Sequence, residues 1–340
     1  MGNRIIYLDS AKFICIFLMV VGHWTSNETI LLYIYSFHMP ALFVISGMLY
    51  KPKKWYKTIL SFGIPIVFYS IINLIVLIAL QEISIGQLFT KEMLGRFLHY
   101  RYGLGEGLFM GDWFLWALLG LRFLYGDIKF MGFLRRYHIP IAIITITYMS
   151  FESSLVSIDS LFRGWYIGRM IPSMAFFCLG FLLKDYKIQI QNMHYSITLI
   201  LGCLLILLPM FNGSTSINSN LFGRSYILFF INASLSTLFV FRITHYIPQN
   251  KFITTISKGT LLVLGLHIPI MKTLDLLFPT CLHELLPLFV LPICYYPILW
   301  LEKWCPPLIG RIKNWRIIYK IEVKHYCLLS QLLPYFTPKR

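Results

Sequence analysis

The stretch RIIYLDSAKFICIFLMVVGHWTSNETILLYIYSFHMPALFVISGMLYK, residues 4–51, decides how the rest of the chain is read. It holds two long apolar runs, near Ile5 to Trp24 and Ile30 to Tyr50, joined by a short polar link. A helix needs about 20 apolar residues to cross a bilayer, and each run meets that length. The first run nevertheless carries Asp9, Lys12 and His23. An ionisable side chain inside a span costs roughly 2.5–3.5 kcal/mol on insertion scales, so each of the three demands a reason.

At about 100° per residue, His23 lies only about 20° from Lys12 after three turns, and Asp9 lies about 40° from His23 on the other side. A polar stripe therefore runs along one helix face, with Lys12 about 16 Å below His23 along the axis. Asp9 and Lys12 also suit a neutralising pair near the inner interface, with Lys12 snorkelling. In the second run, Pro40 follows His38 by two residues and predicts a local helix break. Such breaks are tolerated at membrane depth only where the backbone lines a cavity or is buried in protein. Ser46 beside Gly47 either supports a site or allows close helix packing.

Working outward, the 340 residues are 57% hydrophobic, 17% aromatic and only 13% charged. Soluble domains carry about 25% charged residues, so this chain cannot clothe a soluble surface. The expectation is an all-α polytopic membrane protein of about ten transmembrane helices with both termini cytoplasmic. The further runs lie near Thr58 to Leu80, Trp113 to Tyr125, His138 to Ser150, Arg169 to Leu183, Tyr195 to Phe211, Ser225 to Phe241, Gly259 to Phe278 and Leu285 to Leu301. Threading them with the N-terminus inside puts most lysines and arginines on the inner side. These are Arg4, the Lys51 to Lys57 cluster, Lys129, Arg135, Arg136, Lys184, Lys187, Arg242, Lys251, Lys258 and the tail from Lys303. Only Lys91, Arg96, Arg101, Arg163, Arg169 and Arg224 fall outside, as the inward bias of positive loops requires. The net charge of +16 is thus explained by topology and a lipid bilayer rather than by nucleic acid.

The first run lacks a small-residue cleavage site and is read as a retained span. Seven cysteines without CxxC pairing suggest neither a zinc site nor a disulfide framework, and no metal is expected. The absence of an internal repeat or of inverted halves weighs against a transporter or flippase for glycan or lipid, the alternative that ten spans with intramembrane charge also fit. The loop from Gln81 to Asp112, containing RYGLGEGLF at 101–109, is read as a flexible cover over an extracytoplasmic site. Residues 1–301 form one transmembrane domain, and 302–340, with RIKNWRIIYKIEVKHY, a basic amphipathic cytoplasmic tail suited to an anionic leaflet.

Other candidates stand around the first two spans. Asp112 and Trp113 open the fourth span at the outer face, where an acid and an aromatic suit a sugar, although Trp there also serves as an anchor. Arg163 and Arg169, in FRGWYIGRM, lie outside against the charge bias and suit an anionic or polar acceptor. His267, Lys272 and Asp275 form a second stripe in the ninth span, with Lys272 and Asp275 spaced to pair. His38 either supports His23 across the helix pair or caps a broken turn.

RIIYLDSAKFICIFLMVVGHW followed by YIYSFHMPALFVISGMLYK resembles the opening of the acyltransferase-3 family of integral-membrane O-acyltransferases, particularly its fucose 4-O-acetylase-like branch. That family's first span pairs a basic residue with a histidine after ten intervening residues, and Lys12 and His23 match it. DWFLWALL, IPSMAFFCLGFLLKD and ISKGTLLVLGLHIPI resemble further family segments in order. Lys54 and Lys57 stand where the family often has two arginines three apart.

The resemblance implies transfer of an acyl group, usually acetyl from cytoplasmic acetyl-CoA, to a hydroxyl of a sugar in a cell-surface polysaccharide or lipid-linked glycan, at a bacterial inner membrane. For that chemistry His23 is the candidate general base or transient acyl carrier, because imidazole exchanges protons near neutrality. Lys12 faces the donor's pantetheine end or a developing oxyanion, and Asp9 holds Lys12. Coenzyme A brings a diphosphate and a ribose phosphate, for which Lys51, Lys53, Lys54 and Lys57 are the candidate cations, with Trp55 to stack on adenine. The same lysines also serve topology alone. The reading requires a passage joining the lysine end of the first span to His23.

Overall fold

The computed structural model describes residues 5–90, 112–125, 136–152 and 169–312. Helices fall on all ten apolar stretches: α1 (Ile6–Gly22), α2 (Glu28–Tyr35) with α3 (His38–Met48), α4 (Trp55–Ala79), α5 (Asp112–Leu124), α6 (His138–Glu152), α7 (Met170–Leu183), α9 (Tyr195–Asn212), α10 (Tyr226–Thr244), α12 (Thr260–Leu277) and α13 (Pro287–Trp304). Two short helices intervene, α8 (Lys187–Gln191) and α11 (Lys251–Lys258). Among the described residues, five segments are long and apolar enough to cross a membrane: Glu28–Met48, α4, α9, α10 and α12. The chain is a helical membrane protein. On α9, Leu199, Ile200, Leu207 and Phe211 are exposed, an arrangement that is stable only against lipid. By contrast α3 is buried nearly throughout and forms the axis of the bundle.

The second run is not one continuous helix. Its break falls at Ser36 and Phe37, before His38 rather than after Pro40, with Phe37 at φ −149° and ψ −25°. Pro40 then sits in the first turn of α3, where a missing N–H costs nothing and the ring does not clash. The break leaves carbonyls of α2 without intrahelical donors, and side chains satisfy them. His38 Nδ1 donates to the Ile34 carbonyl at 2.6 Å and the Ser36 hydroxyl to the Tyr33 carbonyl at 2.7 Å. His38 therefore caps the broken turn.

Gly47 of α3 crosses Gly180 of α7 with backbone against backbone. A Cβ at Gly180 would lie 2.2 Å from the Val44 carbonyl oxygen and 2.8 Å from Gly47 Cα, and one at Gly47 would lie 2.2 Å from the Phe177 carbonyl oxygen. Neither neighbour can swing aside, so the two helices must separate. Gly180→Val is expected to destabilise the fold by about 3 kcal/mol, the upper end of ordinary overpacking. Gly63→Ala, inside α4 and with nothing within 4 Å of the added carbon, is expected to raise stability by up to about 1 kcal/mol, since alanine suits a helix interior better than glycine. The thermal unfolding midpoints of the two variants in detergent check this contrast.

The described residues add one small element to the helical expectation. An antiparallel hairpin of β1 (Thr215–Ser216) and β2 (Leu221–Phe222) pairs Thr215 with Phe222 and Ser216 with Leu221. Gly223 leaves it at φ +69°, and a Cβ there would lie 2.2 Å from the Asn212 carbonyl oxygen, so only glycine fits. Lys272 and Asp275 do not pair with each other as their spacing suggests. Lys272 reaches Glu82, in the turn after α4, at 2.5 Å and Asp275 accepts from His283 Nδ1 at 2.7 Å, because tertiary neighbours compete with i,i+3 spacing. After α13 the chain folds back: Tyr69 donates its hydroxyl to the Leu308 carbonyl at 3.0 Å, and Ile309 and Ile312 are buried. The rest of the basic tail, the loop residues 91–111 and Arg163 lie outside the described residues.

Candidate active site

Two cavities open at opposite ends of α1. The one at the His23 end, called outer after the expected topology, has about 560 Å³ and is walled by Met19 and Gly22 of α1, His23 just after it, Tyr35 of α2, His38 and Met39 of α3, Trp113 of α5 and the hairpin. This size suits a small-molecule site. His23 is positioned by the end of its helix, where backbone carbonyls lack intrahelical donors. Tyr35 satisfies one by donating its hydroxyl to the Gly22 carbonyl at 2.6 Å, which ties α2 to the last turn of α1.

The His23 ring faces His267 of α12, with centroids 5.2 Å apart and planes 39° apart. His267 is fully buried, and its Nδ1 lies 3.1 Å and 2.9 Å from the carbonyls of Val263 and Leu264. Carbonyls only accept, so Nδ1 carries the hydrogen and Nε2 is left as a lone pair. That Nε2 is buried without a hydrogen-bond partner among the described residues. A lone pair beside an imidazole is what a histidine needs if it is to be oriented while it takes up and releases a proton.

The inner cavity, of about 410 Å³, gathers positive charge: Lys12, Lys53, Arg122, Lys258 and Arg311 line it, together with Asp9, Ser46 and Ser257. Short α11 explains part of this clustering. Its last turn leaves carbonyls free, and Lys12 Nζ donates to the Ser257 carbonyl at 3.4 Å while the Ser257 hydroxyl donates to Asp9 at 2.6 Å. Ser257 thus bridges the two charged residues of the α1 stripe. Glu302 offsets part of the charge, accepting from Lys258 at 3.2 Å and also from Arg311. Arg122 stands between two rings, its guanidinium carbon 6.0 Å from the Tyr50 centroid and 5.8 Å from that of Phe62. Its Nε has no hydrogen-bond partner among the described residues. Cations set in such a pocket suit a polyanionic ligand.

Leu264 lines both cavities, and one turn of α1 separates Ile16 of the inner wall from Met19 of the outer. The Lys12 end and the His23 end of the stripe therefore line two separate cavities that meet at Leu264, and not the joined passage that the sequence reading requires.

The predicted residues sort unevenly into this geometry. His23, His38 and Trp113 line the outer cavity; Asp9, Lys12 and Ser46 line the inner one; and His267 backs His23. Of the KPKKWYK residues, only Lys53 lines the inner cavity. Lys51 and Lys54 are exposed, Trp55 is 48% exposed and packs edge-on to Tyr56, and Lys54 and Lys57 lie about 6 Å from the Tyr56 ring. Arg169 is buried and does not line the cavity; its Nε donates to the Asn218 carbonyl at 2.8 Å and so fixes the hairpin. The Asp112 side chain and Arg163 lie outside the described residues. Reading the sequence missed Arg122, Lys258, Arg311 and the hairpin. The signal for Arg122 was present, since an arginine within an apolar run is itself a functional pointer.

The model of an acyltransferase domain family, the acyltransferase-3 family, matches residues 5–301. No curated protein and no solved structure matches the chain.

Proposed function

The chain belongs to the acyltransferase-3 family, and on that premise we propose that it moves an acetyl group from acetyl-CoA, bound in the inner cavity, to a hydroxyl of a sugar held in the outer one. The observation that carries this reading is the back-to-back pair of cavities, one lined by five cations and the other by His23. Lys53, Arg122, Lys258 and Arg311 supply charge for the donor's phosphates, and Lys12 lies deeper along α1 towards the acyl-bearing arm. The arm passes Leu264, the one side chain common to both walls among the described residues.

At the outer end, His23 takes the proton of the acceptor hydroxyl as its oxygen attacks the thioester carbonyl. The tetrahedral intermediate collapses with loss of the coenzyme A thiolate, which recovers the proton from the His23 imidazolium. A hydroxyl is a poor nucleophile until it is deprotonated, which is why a positioned base matters. His267 acts through His23. Its Nε2 lone pair accepts the second N–H of the imidazolium, holding the ring in place as charge develops. The sugar acceptor and the bacterial inner membrane complete the reading.

Purified protein in detergent is expected to release coenzyme A from acetyl-CoA in step with acetylation of an added glycan. Accumulation of acetylated product, followed by mass spectrometry, checks this. Transport of a glycan across vesicle membranes with no consumption of acetyl-CoA would overturn it.

A further inference from the structure

We infer that the KPKKWYK segment, residues 51–57, and the adjoining half of α4 bind one anionic glycerophospholipid, its headgroup phosphate among the lysines and an acyl chain along the helix. The inference stands independently of the acyl-transfer reading. The proposed donor site leaves this segment mostly unused, because of its four lysines only Lys53 lines the inner cavity. Lys51, Lys53 and Lys54 are exposed, and no acidic residue occurs in the sequence between Glu28 and Glu82.

Helix length sets the depth of the segment. The 25 residues of α4 rise about 37 Å at about 1.5 Å each, against a hydrocarbon core of about 30 Å. The excess places the first turn of α4 in the headgroup layer, since the lysines beside it cannot follow the helix into hydrocarbon. Trp55, in that turn, is 48% exposed and packs edge-on to Tyr56, as an interfacial anchor does. The ammonium groups of Lys54 and Lys57 both stand about 6 Å from the Tyr56 ring. Two cations gathered at one ring suit a single phosphodiester, which offers each of them an oxygen.

Below the headgroup layer the helix offers a track for the chain. Trp55, Ile59, Gly63 and Val67 follow one another at i,i+4 spacing, a row that drifts by only about 120° over its length. Trp55, Ile59 and Val67 are exposed, and a Cβ added at Gly63 would meet nothing within 4 Å. The row therefore has an open notch between two apolar ridges, where an acyl chain can lie against the backbone. Apolar contact along the row retains the lipid, and charge selects it. A zwitterionic headgroup brings a cation of its own to the lysines, whereas an anionic one brings none.

The test is native mass spectrometry of the full-length protein, delipidated in detergent and titrated with dioleoyl phosphatidylglycerol or dioleoyl phosphatidylcholine. Phosphatidylglycerol is expected to bind first and about 5-fold more tightly. The double variant Lys54→Gln/Lys57→Gln is expected to weaken it about 10-fold or more. Lys184 and Lys187 are also exposed, and the charge-matched Lys184→Gln/Lys187→Gln should leave binding unchanged. A phosphatidylglycerol carrying a diazirine on its acyl chain should label the stretch from Ile59 to Val67 in the wild type. Equal binding of the two lipids, equal losses in the two double variants, or label confined to other helices overturns the inference. So does displacement of the lipid by glycerol 3-phosphate, which has no chain, or by coenzyme A, which would return the segment to the donor. A dimer that buries Trp55 and takes up no lipid would overturn it as well.

Discussion

Replacing His23 with Ala is expected to lower kcat for acetyl transfer by about 10²–10⁴-fold, the contribution of a positioned general base. His23 lines the outer cavity and faces His267, so the loss should fall on kcat and leave the KM for acetyl-CoA, proposed to bind at the other end of α1, little changed. His267→Ala removes the orienting lone pair and not the base itself, so a smaller loss with an altered pH–rate profile is expected. His267→Gln, which retains an acceptor, should restore part of it. Stopped-time assays of product formation with saturating donor check all three. Full activity in His23→Ala would end the proposed mechanism.

Removing the charge at Arg122 is the second large effect. A hydrogen bond to a charged group contributes about 1.5–3 kcal/mol, so Arg122→Gln should raise the KM for acetyl-CoA by roughly 10–100-fold. The guanidinium stands at the inner cavity between Tyr50 and Phe62, in surroundings that screen charge far less than water does. Lys51 is exposed and does not line that cavity, and Lys51→Gln should leave KM unchanged. The pair separates a folded anion site from a merely basic loop. Equal KM values for Arg122→Gln and the wild type would place the donor elsewhere.

The stripe of Asp9, Lys12 and His23 was legible because helical geometry is local and intramembrane charge is costly enough to need an explanation. His38 and Trp113 were legible for similar reasons. The partners of the stripe were not. Ser257 lies 245 residues from Lys12, and no periodicity connects them. The lysines of KPKKWYK advertised a phosphate site through local charge density, yet Lys51, Lys53 and Lys54 are all exposed and of the four only Lys53 lines the cavity. The cations that complete the pocket come one at a time from α5, α11 and the segment after α13; Lys258 and Arg311 look unremarkable in their own stretches, and Arg122 alone stands out as a charge within an apolar run. The hairpin was passed over because serines and asparagines in a connection read as turn chemistry. Its anchoring depends on Arg169, which the expected threading sets outside against the charge bias and which the fold holds on the Asn218 carbonyl.

The leucine shared by the two cavities has a consequence for the cell as well as for catalysis. Hollowing a protein from both faces of a bilayer thins the insulating layer, and a continuous water file there would short-circuit the proton gradient. On the proposed reading, Leu264, which lines both recesses, would keep them electrically apart, since a bare ion meets a steep solvation barrier in hydrocarbon. If the acyl-bearing arm crosses this partition as proposed, it must fill the gap that it opens, or ions would follow it.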